Sequence, residues 1–307
     1  MGLLLLMGNA GFRGSLDTLG SGLESAWSVG RRLRAGYSGP VIRVRRSSDN
    51  AEQDFSGSGA NGAVSAAAVA AFCGAGDGFL TTIYGQSGLS RNLTQSTTTL
   101  QPICVSSGVA VTQNGFLACS TTTAAARRMS VASSTSTYNF LHTTGGTLYA
   151  VHASADTAVR KVLIGTASSL SAEAGFTLMS GTTESFDVRA SKIDSGGVST
   201  TGNSVVISAA GTSTTNMRLN SVAIDPDNGT AANRVFVWQD GTASATANAA
   251  TGVPFVENAA GNLTILAYPS GALPFDGTFC ELVIWSGDRT ASRTTWEANA
   301  KTFWGTP

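Results

Sequence analysis

The sequence predicts an all-β sandwich with a few short helices, and three observations predict it. From Leu100 onward, short β-branched and aromatic runs recur, broken by Gly, Asn, Asp and Ser. A spacing of about 8–12 residues between such runs is the rhythm of a sandwich. The composition is small and weakly charged, with 36 Gly, 7% aromatic and 12% charged residues, which suits many strands joined by tight turns. A closing strand-like run, Gly277–Trp285, is followed by a segment that sets Trp296, Ala300 and Phe303 on one helical face. At 307 residues, one large sandwich can bury its core without disulfides.

The elements follow in order. The apolar run Leu3–Met7 is shorter than the about 7–15 residues of a secretory h-region and far below the about 20 of a membrane span. No leader and no membrane span are expected, and the run is read either as a strand or as an attachment arm. Gly and Ser punctuate Ser15–Gly22 as a link, so the organisation expected is an arm over residues 1–24 and a sandwich over 25–307. Ser25–Ala35 reads as a short helix carrying Trp27, Val29 and Leu33, ended by Gly36. Val41–Arg45 alternates as a half-buried strand after Pro40, Ala-rich Asn61–Cys73 reads as a helix, and Phe79–Tyr84 as a strand. The later strands are Thr147–His152, Lys161–Ile164, Phe186–Ala190, Ser204–Ser208, Met217–Ile224, Arg234–Gln239, Leu263–Ala267 and Phe279–Trp285, and the final helix is Ser292–Trp304.

Charge excludes some partners. A formal net charge of +0 gives no global attraction for nucleic acid or an anionic membrane. The four cysteines, Cys73, Cys104, Cys119 and Cys280, lack paired zinc-ligand spacing and read as buried thiols. With only two histidines, His142 and His152, no metal site is expected, and no cofactor motif occurs. The one dense charge cluster, Arg31, Arg32, Arg34, Arg43, Arg45 and Arg46, reads as structural ion pairing with Asp49, Glu52, Asp54 and Asp77. Asp49-Asn50 and Asp225-Pro226-Asp227-Asn228-Gly229 read as turns.

Several short pieces match a known pattern together: Tyr37-Ser38-Gly39-Pro40-Val41-Ile42-Arg43-Val44-Arg45, Gly76-Asp77-Gly78-Phe79-Leu80, Tyr84-Gly85-Gln86-Ser87-Gly88 and Asn92-Leu93-Thr94-Gln95. They resemble the start of the catalytic domain of family 54 α-L-arabinofuranosidases, which implies a concanavalin A-like (jelly-roll) β-sandwich. The same sandwich recurs in tailed-bacteriophage virion proteins. A retaining glycosidase needs two carboxylates about 5–5.5 Å apart. The resemblance implies a Glu on a mid-domain strand as nucleophile, and an Asp in a Gly-Gly-Asp-Asn loop before the closing strand as acid/base.

Here that loop reads Ala267-Tyr268-Pro269-Ser270-Gly271-Ala272-Leu273-Pro274, with no acid, and Asp276 stands against Gly277. Phe176-Thr177-Leu178-Met179 occupies the place of the Glu-bearing strand, flanked by Glu173 and Glu184. The family's Cys-Cys pair is absent, and Gly85 replaces an acid before Gln86.

The expectation is therefore no catalytic residues and no enzyme. The chain is read as a structural virion protein, a head fibre or decoration or a tail fibre or spike component, on the particle exterior. Its expected partners are other capsid or tail proteins, host-surface glycans and a second copy of itself. The sugar-contacting residues expected are Tyr84, Gln86, Tyr268 and Trp238, with Tyr268 facing the surface from its Pro/Gly loop. The alternatives are an arabinofuranosidase-type hydrolase using Glu173, Glu184, Asp276 or Glu281, and a cellular lectin-like adhesion module.

Overall fold

A computed structural model describes residues 14–17, 20–155, 159–167, 173–180, 185–190, 192–193, 207–210, 216–243, 253–254 and 256–307. The all-β sandwich expected is what the chain forms. Among the described residues, every ladder between strands is antiparallel.

One sheet is built on the two longest strands, Gly146–Ser154 and Gly277–Ser286, paired along their whole lengths. Outward from the first lie Arg218–Ile224 and then Val235–Gln239; Leu23–Ser28 and Cys119–Thr121 flank the second. The facing sheet runs through Glu52–Phe55, Ile42–Arg46, Gly78–Ile83, Leu93–Thr94, Met129–Val131, Thr264–Ile265, Lys161–Gly165, Phe176–Ser180, Ser185–Ala190 and Ile207–Ala210. Ile103–Ser106 joins the two at one side, pairing with both Gly78–Ile83 and Cys119–Thr121.

Strand alternation explains the layers. In the two long strands, Leu148, Ala150, Leu282 and Ile284 enter the core between the sheets with Trp27, Leu178 and Phe279. The intervening Tyr149, Val151, Val283 and Trp285 face the other way and are covered by helix α2, Arg293–Trp304. Buried on both faces, these strands read as nearly continuous apolar runs. The predicted face of α2 is the buried one, with Trp296 stacked on Tyr149 at 4.6 Å and Ala300 and Phe303 beside it.

Helix α1, Ala66–Cys73, starts one residue after Ser65, whose hydroxyl accepts from the Ala68 N–H, and stops at Gly74 with φ of 62°. Both are standard helix-end chemistry.

The stretch 25–35 departs from expectation. Leu23–Ser28 is a strand hydrogen-bonded to the closing strand, with Trp27 opposite Leu282, and no helix follows it. Trp27 and Val29 sit two residues apart and both enter the core, which satisfies strand alternation better than a helical stripe. Residues 1–13 of the expected arm lie outside the described residues, while Leu16 is buried against Leu33 and α2. Of Ser204–Ser208, only residues 207–208 are described, within the strand Ile207–Ala210. All four cysteines are buried free thiols.

Candidate functional site

The arginine cluster is structural. Arg43 stands directly opposite Asp54 across two strands and forms both hydrogen bonds of a fork at 2.8 Å, so the Asp54 carboxyl is held below its usual range, chiefly by Arg43. Arg46 grips Asp49 in the same way. Arg45 donates to Gln101 and Asn50 and lies over the Phe79 ring.

Arg31 runs inward to Glu281, with both guanidinium contacts at 2.7 Å. That carboxylate also accepts from the Tyr149 hydroxyl at 2.7 Å and the Trp304 indole at 3.0 Å, and it is 0% exposed. Burial drives the Tyr149 phenol well up, and Glu281 adds to it. Glu281 is thus saturated by fixed donors and closed to substrate. Among the expected hydrolytic acids, it is a framework residue. Glu184 lies outside the described residues.

Asp276 and Glu173 remain half-buried, Asp276 just before the closing strand of the first sheet and Glu173 just before the strand Phe176–Ser180 of the facing sheet. Asp276 accepts a long hydrogen bond from Thr123, at 3.4 Å, and its carbonyl accepts from the Ala155 N–H that follows the long strand Gly146–Ser154. Glu173 lies among a second group that the fold assembles. Thr177 and Arg189 are direct cross-strand partners. Their neighbours Phe176, Leu178, Val188 and Ala190 fill the core, so Thr177 and Arg189 share the opposite face. Over that face folds the Tyr268 loop, tied by hydrogen bonds from Tyr268 N–H to Ala272 and from Gly271 N–H to Tyr268.

The Tyr268 ring packs on Val162, Ala167, Met179 and Leu273 and is 1% exposed, so its expected surface position is corrected. The residues after it fold back onto the strands, Val162 N–H donating to Leu273, and press the ring inward. Burial raises the Tyr268 phenol above its usual range. Thr177 and the Arg189 and Arg160 guanidiniums pull it back, whereas Glu173 adds to the rise. A carboxylate, two guanidiniums and a hydroxyl thus each act on the Tyr268 phenol.

The other expected sugar contacts are elsewhere. The Tyr84 hydroxyl donates to Asp54 at 2.8 Å, as part of the Arg43 group. Gln86 is 1% exposed and clamps backbone, accepting from Leu33 N–H and donating to the Arg31 carbonyl. Trp238 is half-buried on the outermost described long strand of the first sheet, stacked on Phe236 at 6.0 Å, with Arg293 over its ring at 4.6 Å. The structure therefore brings Tyr268 together with Glu173 and leaves Tyr84, Gln86 and Trp238 apart.

Sequence reading missed Thr177, Arg160 and Arg189. Alternation in Phe176-Thr177-Leu178-Met179 signals the outward Thr177, but the register that sets Arg189 beside it is set by the fold. Among the described residues, no group of three or more His, Cys, Asp and Glu could hold a metal ion, and no helix is long and apolar enough to cross a membrane.

Residues 18–122 match the family model of the alpha-L-arabinofuranosidase B catalytic domain. Over 77 residues the chain is 40% identical to the Probable alpha-L-arabinofuranosidase B of Aspergillus fumigatus and 39% identical to that of Aspergillus clavatus. Each match covers 25% of this chain and 15% of the relative, so the shared segment is a small part of those proteins. An arabinofuranosidase structure complexed with arabinofuranosyl-alpha-1,2-xylobiose superposes with a TM-score of 0.63 at 17% identity, over 90% of this chain and 62% of that one. A GH54 α-L-arabinofuranosidase soaked with a cyclic sulfate inhibitor gives 0.58 at 16%, with the same coverage.

The fold is the β-sandwich of those two arabinofuranosidase structures.

These findings correct four expectations: the structural virion role, the absence of enzymatic activity, the viral context and the particle-exterior location. The curated relatives matched in sequence carry enzyme names and come from Aspergillus species. The inference against catalysis rested on several departures at the family's positions: the acid-free loop 267–274, a strand Phe176–Met179 without Glu, and Gly85 in place of an acid. A fold brings acids together from several segments, so departures at those positions do not exclude carboxylates placed elsewhere.

Proposed function

We propose that this chain is a glycoside hydrolase of the α-L-arabinofuranosidase type, acting on terminal arabinofuranosyl groups. The family-model match over residues 18–122 carries the reading, because it ties sequence as well as fold to such a catalytic domain. The group around Tyr268 supplies suitable chemistry. Glu173 is the carboxylate proposed to act on the anomeric carbon or on its attacking water, and Asp276, at the far end of the Tyr268 loop, is the second carboxylate to test.

Glycosidic cleavage passes through an oxocarbenium-like transition state, and two carboxylates share the work: one protonates the leaving oxygen, the other is nucleophile or base. Arg160 and Arg189 would orient sugar hydroxyls, and Tyr268, raised in pKa chiefly by burial, stays a neutral donor at working pH.

The test is release of 4-nitrophenol from 4-nitrophenyl α-L-arabinofuranoside. Turnover by the wild type is expected, with a loss of about 100-fold or more in kcat for Glu173→Gln, in the range of a lost general acid or base. No turnover of this or any other arabinofuranoside by the wild type would overturn the proposal. Full activity in both Glu173→Gln and Asp276→Asn would remove these residues from the chemistry.

A further inference from the structure

We propose that a cleft beside Phe236 and Trp238 is a second saccharide-binding site, separate from the Tyr268 group, for a neutral polysaccharide chain. Strand alternation builds its shelf. Val235 and Val237 enter the core, so Phe236 and Trp238 both stand on the outer face of Val235–Gln239. An outer face usually carries polar residues. Here two rings lie side by side at 24° between planes, and Phe236 is 39% exposed, the one exposed aromatic ring among the described residues.

Arg293 fixes the shelf from one side. It lies over the Trp238 ring and is itself held by Glu297. The rings therefore lose little side-chain freedom when a ligand binds, which favours recognition.

The cleft has a volume of about 400 Å³, and its rim carries Asp225, Asn228, Asn233 and Asp288. Size alone suits a small-ligand site, which typically spans about 300–1,000 Å³. One oxygen of Asp225 accepts from the Asn228 amide, and one oxygen of Asp288 accepts from the Thr290 N–H. The second oxygen of each accepts no hydrogen bond among the described residues.

Flat apolar rings bordered by fixed acceptors and amides match a sugar ring, which is apolar on its C–H faces and ringed by hydroxyls. The two carboxylates select against acidic sugars by like-charge repulsion, so the ligand class is a neutral glycan.

The position separates this site from the catalytic proposal. The cleft adjoins Gly146 and Asp288, beside the Ser286 end of the closing strand, whereas the Tyr268 loop leads into its Gly277 end. A ten-residue strand spans about 30 Å. One polymer chain could be held at the shelf while another part of it meets Tyr268.

Affinity electrophoresis through gels containing soluble arabinoxylan, linear arabinan or polygalacturonate tests the inference without needing turnover. The wild type is expected to be retarded by a neutral polymer and not by polygalacturonate. Phe236→Ala, at an exposed position, is expected to weaken retardation at least tenfold, while Glu173→Gln leaves it unchanged. Trp238 provides an independent reading. The other four of the five tryptophans are at most 1% exposed, so a change in tryptophan emission on titration with xylohexaose reports this cleft. Hydrolysis of 4-nitrophenyl α-L-arabinofuranoside by Phe236→Ala is expected to match the wild type.

No retardation by either neutral polymer would overturn the site, as would equal retardation of wild type and Phe236→Ala. Stronger retardation by polygalacturonate would overturn its preference for neutral sugars. Loss of turnover with retention of binding would sink the hydrolase proposal alone.

Discussion

Glu281 shows how a buried acid becomes framework. Four donors from Arg31, Tyr149 and Trp304 fill its lone pairs, which ties the closing strand to α2 and to the segment after the first strand. Removing one partner leaves a buried guanidinium uncompensated, so Glu281→Gln is expected to cost about 3–5 kcal/mol in urea unfolding. Arg31→Met with Glu281→Met should recover most of that loss, because no unpaired charge remains. His152 makes a pH prediction. It is buried, donates to Asn220 at 3.0 Å and stacks edge-on against Phe275. Burial pulls its pKa from 6.5 to about 4. The unfolded chain takes the proton first, so stability is complete above pH 6.5 and falls as pH drops toward 4, by about 3 kcal/mol. His142 is lowered too, again chiefly by burial, and acts with the same sign. Melting temperatures measured between pH 7 and pH 4 check this, and His152→Gln should flatten the slope.

At the scale of elements, the sequence is most legible where one face alone is buried or where an end is chemically marked. Helix α1 is legible from its Ala run and Gly74, and α2 from the spacing of Trp296, Ala300 and Phe303. The stacked Tyr149, Trp285 and Trp296 rings make α2 part of the core rather than an appendage. Trp296→Ala is expected to lower stability by about 3–5 kcal/mol, the usual range for deleting a buried Trp, measurable by denaturant titration. Ser65→Ala at the head of α1 should cost about 1 kcal/mol. The segment 25–35 was misread because Trp27, Val29 and Leu33 fit a helical spacing as well as an extended one. Pairing with the closing strand, more than 250 positions away, decides it.

For the whole molecule, an all-β sandwich with free buried thiols should melt at the same temperature with or without dithiothreitol. An activity screen on arabinofuranosides then decides whether the Tyr268 group turns over substrate. The sequence by itself determined the fold class, the two longest strands and several others, both helices and the resemblance carried by Leu33–Gln95, since these rest on local alternation, turn residues and short motifs. It also brought forward Tyr268 and Glu173, though not their meeting. Only the tertiary structure decided that Glu281 is closed off, that Gln86 clamps backbone, and that Phe236 and Trp238 form a shelf beside Asp225 and Asp288. The physical reason is register: alternation says which residues share a face of one strand, but pairing between distant strands says which faces meet.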